Sequence, residues 1–104
     1  MRYTVSVSDA ASSMLSEHLL FLAQANLSAA EKLRREIIDG IRSLEEMPER
    51  CPYLELGNHN YKYRKLLAAK RYLILYTIVE YQVYVEYIVD CRQDYQWLIG
   101  STEL

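Results

Sequence analysis

YKYRKLLAAKRYLILYTIVEYQVYVEYIVDCRQDY, residues 61–95, is the stretch whose reading decides the fold. Tyr, Val, Ile and Leu dominate it, and Lys62, Arg64, Lys65, Lys70 and Arg71 crowd its first third. That composition suits a pleated, half-buried surface better than a helix. The pattern predicts a strand over Tyr61–Leu67, a turn at Ala68-Ala69-Lys70, a second strand over Arg71–Val79 and a tight return at Glu80-Tyr81-Gln82. A third strand follows over Val83–Cys91. Along it Val83, Val85, Tyr87 and Val89 alternate with Tyr84, Glu86, Ile88 and Asp90. Ile88 on the polar side points to a bulge or to a partly covered second face. Asp94–Ile99 is expected to form a last helical turn.

Working outward, Arg2–Val7 alternates as a short strand with Tyr3, Val5 and Val7 on one face. Ser8 or Asp9 offers an N-cap oxygen to a first helix, whose Ala11, Met14, Leu15, Leu19, Leu22 and Ala25 follow helical spacing. Asn26 and Leu27 break it. Ser28-Ala29-Ala30-Glu31 has the form of a capping box for a second helix with Ala30, Leu33, Ile37, Ile41 and Leu44 in one stripe. Gly40 weakens that helix by about 1 kcal/mol against Ala, which suggests close packing. Pro48 is expected to end the helix and Pro52 to keep the chain extended, with Glu49–Asn60 as a loop. The expected fold is therefore a single α+β domain spanning residues 1–104. In it an N-terminal strand and an antiparallel helical hairpin precede an antiparallel sheet, with the hairpin packed on one face. A chemical site is expected on the other face.

The 104 residues are 51% hydrophobic and 25% charged, ordinary for a soluble globular chain, with a formal charge of −2. The distribution is more telling: residues 1–58 carry −3, residues 59–79 carry +5 and residues 80–104 carry −4. A local basic band of that kind can contact phosphates or simply guard a sheet edge. Cys51 and Cys91 match no metal-ligand spacing, and His18 and His59 do not complete one. No metal or other cofactor is expected, and the thiols are expected to be reduced. His18 reads as a boundary histidine beside the apolar stripe. No apolar run approaches a membrane span and no secretory signal pattern opens the chain, so a cytoplasmic location is expected.

Several pieces, taken in order, carry a resemblance. They are Tyr3-x-Val5 with Ser8 and Ala11, Leu44-x-x-x-Pro48-x-x-x-Pro52, and Tyr63-Arg64-Lys65-Leu66. Then come Tyr72-Leu73-Ile74-Leu75-Tyr76, Val83-x-Val85 and Cys91-Arg92-Gln93-Asp94-Tyr95. In this order and spacing the chain resembles the RelE/ParE superfamily of type II toxins from Arg2 to Ile99. The resemblance implies a growth-inhibiting toxin held inactive by a co-expressed antitoxin, as a hetero-oligomer with it or as a homodimer. RelE-like members cut ribosome-bound messenger RNA without a metal; ParE-like members poison DNA gyrase.

Metal-free RNA cleavage needs a group to deprotonate the 2′-hydroxyl, cations for the phosphate charge and an acid for the leaving oxygen. By resemblance, Arg64, Arg92, Asp94 and Tyr95 form the catalytic set, and Lys65, Arg71 and Tyr76 bind substrate. Neighbouring strand residues point to opposite faces, so only one of Arg64 and Lys65 can face the site directly. Two departures stand out: Leu73 occupies a position where relatives carry an arginine, and Asp90 one where many carry a histidine. The first reading is a ribosome-dependent messenger RNA endoribonuclease. The alternative is a gyrase poison without nuclease chemistry, and a third reading is an inert toxin fold.

Overall fold

The computed structural model describes residues 2–56 and 59–92. The elements run β1 (Thr4–Val7), α1 (Asp9–Ala25), α2 (Leu27–Ser43), β2 (Tyr53–Leu56), β3 (His59–Ala68), β4 (Tyr72–Val79) and β5 (Gln82–Asp90). They build a five-stranded sheet in the order β1-β5-β4-β3-β2. The pairs among β2, β3, β4 and β5 are antiparallel, whereas β1 lies parallel to β5. The sheet is therefore mixed, because α1 and α2 intervene between β1 and the meander and let β1 join its edge in either sense. The expected helical turn at Asp94–Ile99 lies outside the described residues.

Ser8 is the N-cap of α1: its Oγ accepts from the Ala11 amide at 3.0 Å. At the other end the expected cap moves. Asn26, not Ser28, starts α2, its Oδ1 accepting from the Ala29 amide at 3.0 Å. The Asn26 amide also donates to Leu22 O, so one residue closes α1 and opens α2. A strong cap side chain at the break wins over a capping box two residues later. α2 buries Ala30, Leu33 and Ile37 against the sheet, as the stripe predicts. Gly40 sits where an added Cβ would lie 3.2 Å from Ile74 Cδ1, so the glycine does permit close approach.

Pro48 does not end α2. The helix stops at Ser43, and Pro48 is a buried residue opening a 3-10 turn over Pro48–Arg50, entered through Met47 at φ 49°. Arg50 closes this corner by donating to the carbonyls of Ser43, Glu46 and Met47 at 2.8–3.3 Å. Those groups are among the free carbonyls that every helix end leaves. Residues 49–60, expected as a loop, contain β2 and the start of β3 instead. The signal there was short, and Gly57, Asn58 and Asn60 outweighed it.

Paired residues share a face, and the register sorts the core in two. On the helix side lie Ala68, Tyr72, Ile74, Tyr76, Val83, Val85 and Ile88, under Ala11, Leu33, Ile37 and Leu44. On the opposite side a smaller cluster joins Leu54, Tyr63, Leu73, Leu75 and Val89. Fully burying side chains such as Ile37, Ile74 and Ile88 is worth about 1.5–3 kcal/mol each. The change of side between Val85 and Ile88 comes from a bulge. Tyr76 pairs with Val85 and Leu75 with Tyr87, leaving Glu86 as the extra residue.

Past Val7, β1 ends and the outer edge of β5 would be bare. α1 covers it: Ser8 Oγ donates to Glu86 O at 2.8 Å, and His18 Nε2 lies 3.0 Å from Ile88 O. A carbonyl only accepts, so Nε2 carries the proton. His18 is thus the boundary residue that its position suggested, packed edge-on to Tyr72 at 5.1 Å. Among the described residues no helix is long and apolar enough to cross a membrane.

Candidate functional site

Among the described residues, the expected site residues fall in three places. Arg64 lies on the helix face, paired with Tyr76. Its Nη1 donates to Cys51 O at 2.7 Å and to Glu49 O at 3.2 Å, and its guanidinium stacks over Tyr53 at 4.3 Å. It fastens the chain between α2 and β2. Tyr76 is fully buried and donates to Pro48 O at 2.6 Å. Burial and the neighbouring Cys51 thiol push its pKa well up, so it stays a neutral hydrogen-bond donor. It offers no surface to a substrate. Lys65, paired with Leu75, lies on the opposite face near Cys91, whose thiol is pushed up by burial and by Asp90 in spite of that lysine.

Arg71 and Arg92 stand elsewhere again, at a cleft of about 750 Å³ between the helical hairpin and the ends of β3, β4 and β5. Its walls come from Glu17, His18, Phe21 and Leu22 of α1, from Ala29, Lys32, Leu33 and Glu36 of α2, and from residues 69–71 of the β3–β4 turn with Tyr72 of β4. Asp90 and Arg92 complete it. The Arg92 guanidinium is held by two parallel bonds, Nε to Asp90 Oδ1 at 3.1 Å and Nη2 to Asp90 Oδ2 at 2.7 Å. The Arg92 amide donates to the same Oδ1 at 2.9 Å. Among the described residues Asp90 is the one charged side chain that is buried, 6% exposed against 61% for Arg92. Arg92's hydrogen bonds hold the Asp90 carboxyl below the usual range, against the opposing effect of burial.

Asp94 and Tyr95, expected in the catalytic set, lie outside the described residues. Both cysteines are free thiols, Cys51 buried and Cys91 exposed. Among the described residues no group of His, Cys, Asp and Glu is arranged to hold a metal ion. The role of Asp90 was missed in the sequence, where it registered only as a departure from a motif. The signal was available in Asp90-x-Arg92, a carboxylate and a guanidinium two residues apart at a strand end. The cleft itself carries no local signal, since its lining is drawn from both helices, the β3–β4 turn and the end of β5.

Comparison with known proteins bears on the same arrangement of strands and helices. No curated protein matches the sequence. Among solved structures, a chain of the chromosomal ParDE TA system from P. aeruginosa superposes with a TM-score of 0.72 at 10% identity. The match covers 86% of this chain and 96% of that one. Identity that low speaks for the fold alone. The family model for the ParE toxin of the type II toxin-antitoxin system parDE matches residues 5–95, nearly the whole of the described fold. The chain belongs to the ParE family of type II toxins.

Proposed function

We propose that this toxin acts by occupying a surface, as a ParE-like poison of DNA gyrase, and not by cutting messenger RNA. One observation carries the reading. Arg64 is committed to backbone carbonyls, Tyr76 is buried, and Lys65 faces away from Arg71 and Arg92. Metal-free cleavage asks several groups to converge within hydrogen-bond reach of one phosphate. A poison needs no such convergence, and Leu73 and Asp90 in place of charge-bearing and proton-transferring residues then cost it nothing.

The main partner is a cognate antitoxin. Leu20, Phe21 and Leu27 are 67%, 80% and 66% exposed at the closed end of the hairpin, an apolar patch suited to a partner's helix. The deciding experiment is inducible expression in bacteria without the antitoxin. Gyrase-linked DNA breaks and messenger RNA ends are mapped from the same cultures. Broken DNA with intact messages is the expected result. Cuts confined to translated messages, with intact DNA, would restore the nuclease reading and place Arg92, Asp94 and Tyr95 at its centre.

A further inference from the structure

The β3–β4 turn is built against the preferences of its own residues. Ala69 at φ 51° and Lys70 at φ 71° are consecutive left-handed positions, which tight hairpin turns usually give to Asn-Gly. In such a conformation the Cβ of an L-residue crowds the following carbonyl oxygen. Strain of this kind persists where the surroundings over-determine it. Here the Cys91 amide donates to Arg71 O at 2.7 Å, locking the turn to the end of β5. Lys70 and Arg71 of this turn line the cleft together with Arg92.

Two of these cations are unpaired among the described residues, and the third is paired on one side only. Among the described residues Lys70 and Arg71 make no ion pair. Arg92 spends Nε and Nη2 on a buried carboxylate, which fixes its plane and leaves Nη1 without a described partner. An arginine oriented from behind in this way meets an anion without first losing side-chain freedom. On another wall of the cleft Phe21 presents an aromatic ring that is 80% exposed.

We infer that the cleft binds a nucleoside phosphate, with the phosphate on Lys70, Arg71 and Nη1 of Arg92 and the base against Phe21. The cleft volume of about 750 Å³ falls within the range of small-ligand sites. Stacking on an aromatic ring suits any base, because every base has a π-face. A nucleic-acid duplex fits the same features poorly. Duplex binding draws on many cation–phosphate contacts, whereas this chain carries a net −2 and lines the cleft with Glu17 and Glu36 as well. A mononucleotide needs only the local field at the turn. The inference does not depend on the gyrase reading.

The test is calorimetric titration of the full-length toxin, freed of its antitoxin, with ADP, adenosine, inorganic phosphate and a short DNA duplex at physiological ionic strength. ADP is expected to bind one-to-one with Kd below about 1 mM, and phosphate and adenosine more weakly. The exposed double variant Lys70→Gln/Arg71→Gln should weaken ADP by about tenfold or more at an unchanged melting temperature. Phe21→Ala should weaken ADP and leave inorganic phosphate as it was. No saturable binding up to about 10 mM ADP, undiminished binding by the double variant, or tighter binding of the duplex than of ADP would each overturn the assignment.

Discussion

Tyr76→Phe separates a structural tyrosine from a substrate-binding one. The hydroxyl donates to Pro48 O at 2.6 Å, and both residues are among the most deeply buried in the chain. Phe keeps the ring and its packing against the helix-side core, so no cavity term arises. What is lost is one short hydrogen bond, and Pro48 O is left as a buried acceptor with nothing to accept. Stranding a buried polar group costs about 1–3 kcal/mol. For a domain of this size, a urea m-value of about 1.5 kcal/mol/M turns the middle of that range into a midpoint lower by roughly 1 M. The raised pKa of the Tyr76 hydroxyl, set first by burial, means that the donor stays protonated throughout the neutral range. The assay is urea unfolding followed by far-UV circular dichroism, with growth inhibition scored per folded molecule. The midpoint should fall with m unchanged, and toxicity per folded molecule should hold. An unchanged midpoint together with weakened toxicity would refute the reasoning and put the hydroxyl back at a substrate.

Other consequences are as definite. Asn26→Ala should cost about 1 kcal/mol, the usual value of an N-cap, while Ser28→Ala should be neutral within about 0.5 kcal/mol; equal losses would mean that the capping box operates after all. Gly40→Ala gains about 1 kcal/mol of helix propensity but presses its Cβ to 3.2 Å from the buried Ile74 Cδ1, so the two effects should nearly cancel in urea unfolding. Gly40→Val adds bulk without that propensity and should lose about 1–3 kcal/mol; a stable valine variant would show that α2 stands farther from the sheet. Asp90 has its carboxyl held down by Arg92, so it adds stability above its unfolded pKa of about 4 and loses it as pH falls through the lower folded value. The melting temperature of the wild-type chain should therefore drop more steeply below about pH 4 than that of Asp90→Asn, and parallel slopes would exclude the coupling.

Much of the architecture could be read directly. The meander showed in the tyrosine- and valine-rich run, because each strand exceeds seven residues and is bounded by clear turns. The hairpin showed in the α2 stripe, since Ala30, Leu33 and Ile37 do face the core. Of the two four-residue strands, β1 showed in the alternation of Arg2–Val7, whereas β2 did not, because Gly57, Asn58 and Asn60 follow it too closely for its periodicity to stand out. The parallel pairing of β1 with β5 carries no local signal whatever, because it joins residues some eighty positions apart.

The candidate site was illegible for a different reason: which side a residue faces depends on a count, and one extra residue changes the count. With strict alternation from Val83 and Val85, the helix side of β5 would receive Tyr87 and Val89, while Ile88 and Asp90 would turn to the opposite face. Glu86 interrupts that alternation. Beyond it Ile88 enters the helix-side core, and Asp90 lines the cleft with Arg92 held on its carboxylate. The inserted residue is itself secured, since its carbonyl accepts from Ser8 Oγ, the hydroxyl that also caps α1. The same helix supplies His18 to the next free carbonyl at Ile88. A bulge, a helix cap and an edge histidine therefore act together to move an arginine from the open face of the sheet to the hairpin side. Arg64 moves in the opposite functional sense. On a bare strand it reads as a free cation, but on the helix face it meets the carbonyls left by the 3-10 turn at Glu49 and Cys51 and is used up there. Where this toxin keeps an available positive charge is thus set less by how many basic residues it has than by which carbonyls and carboxylates reach them first.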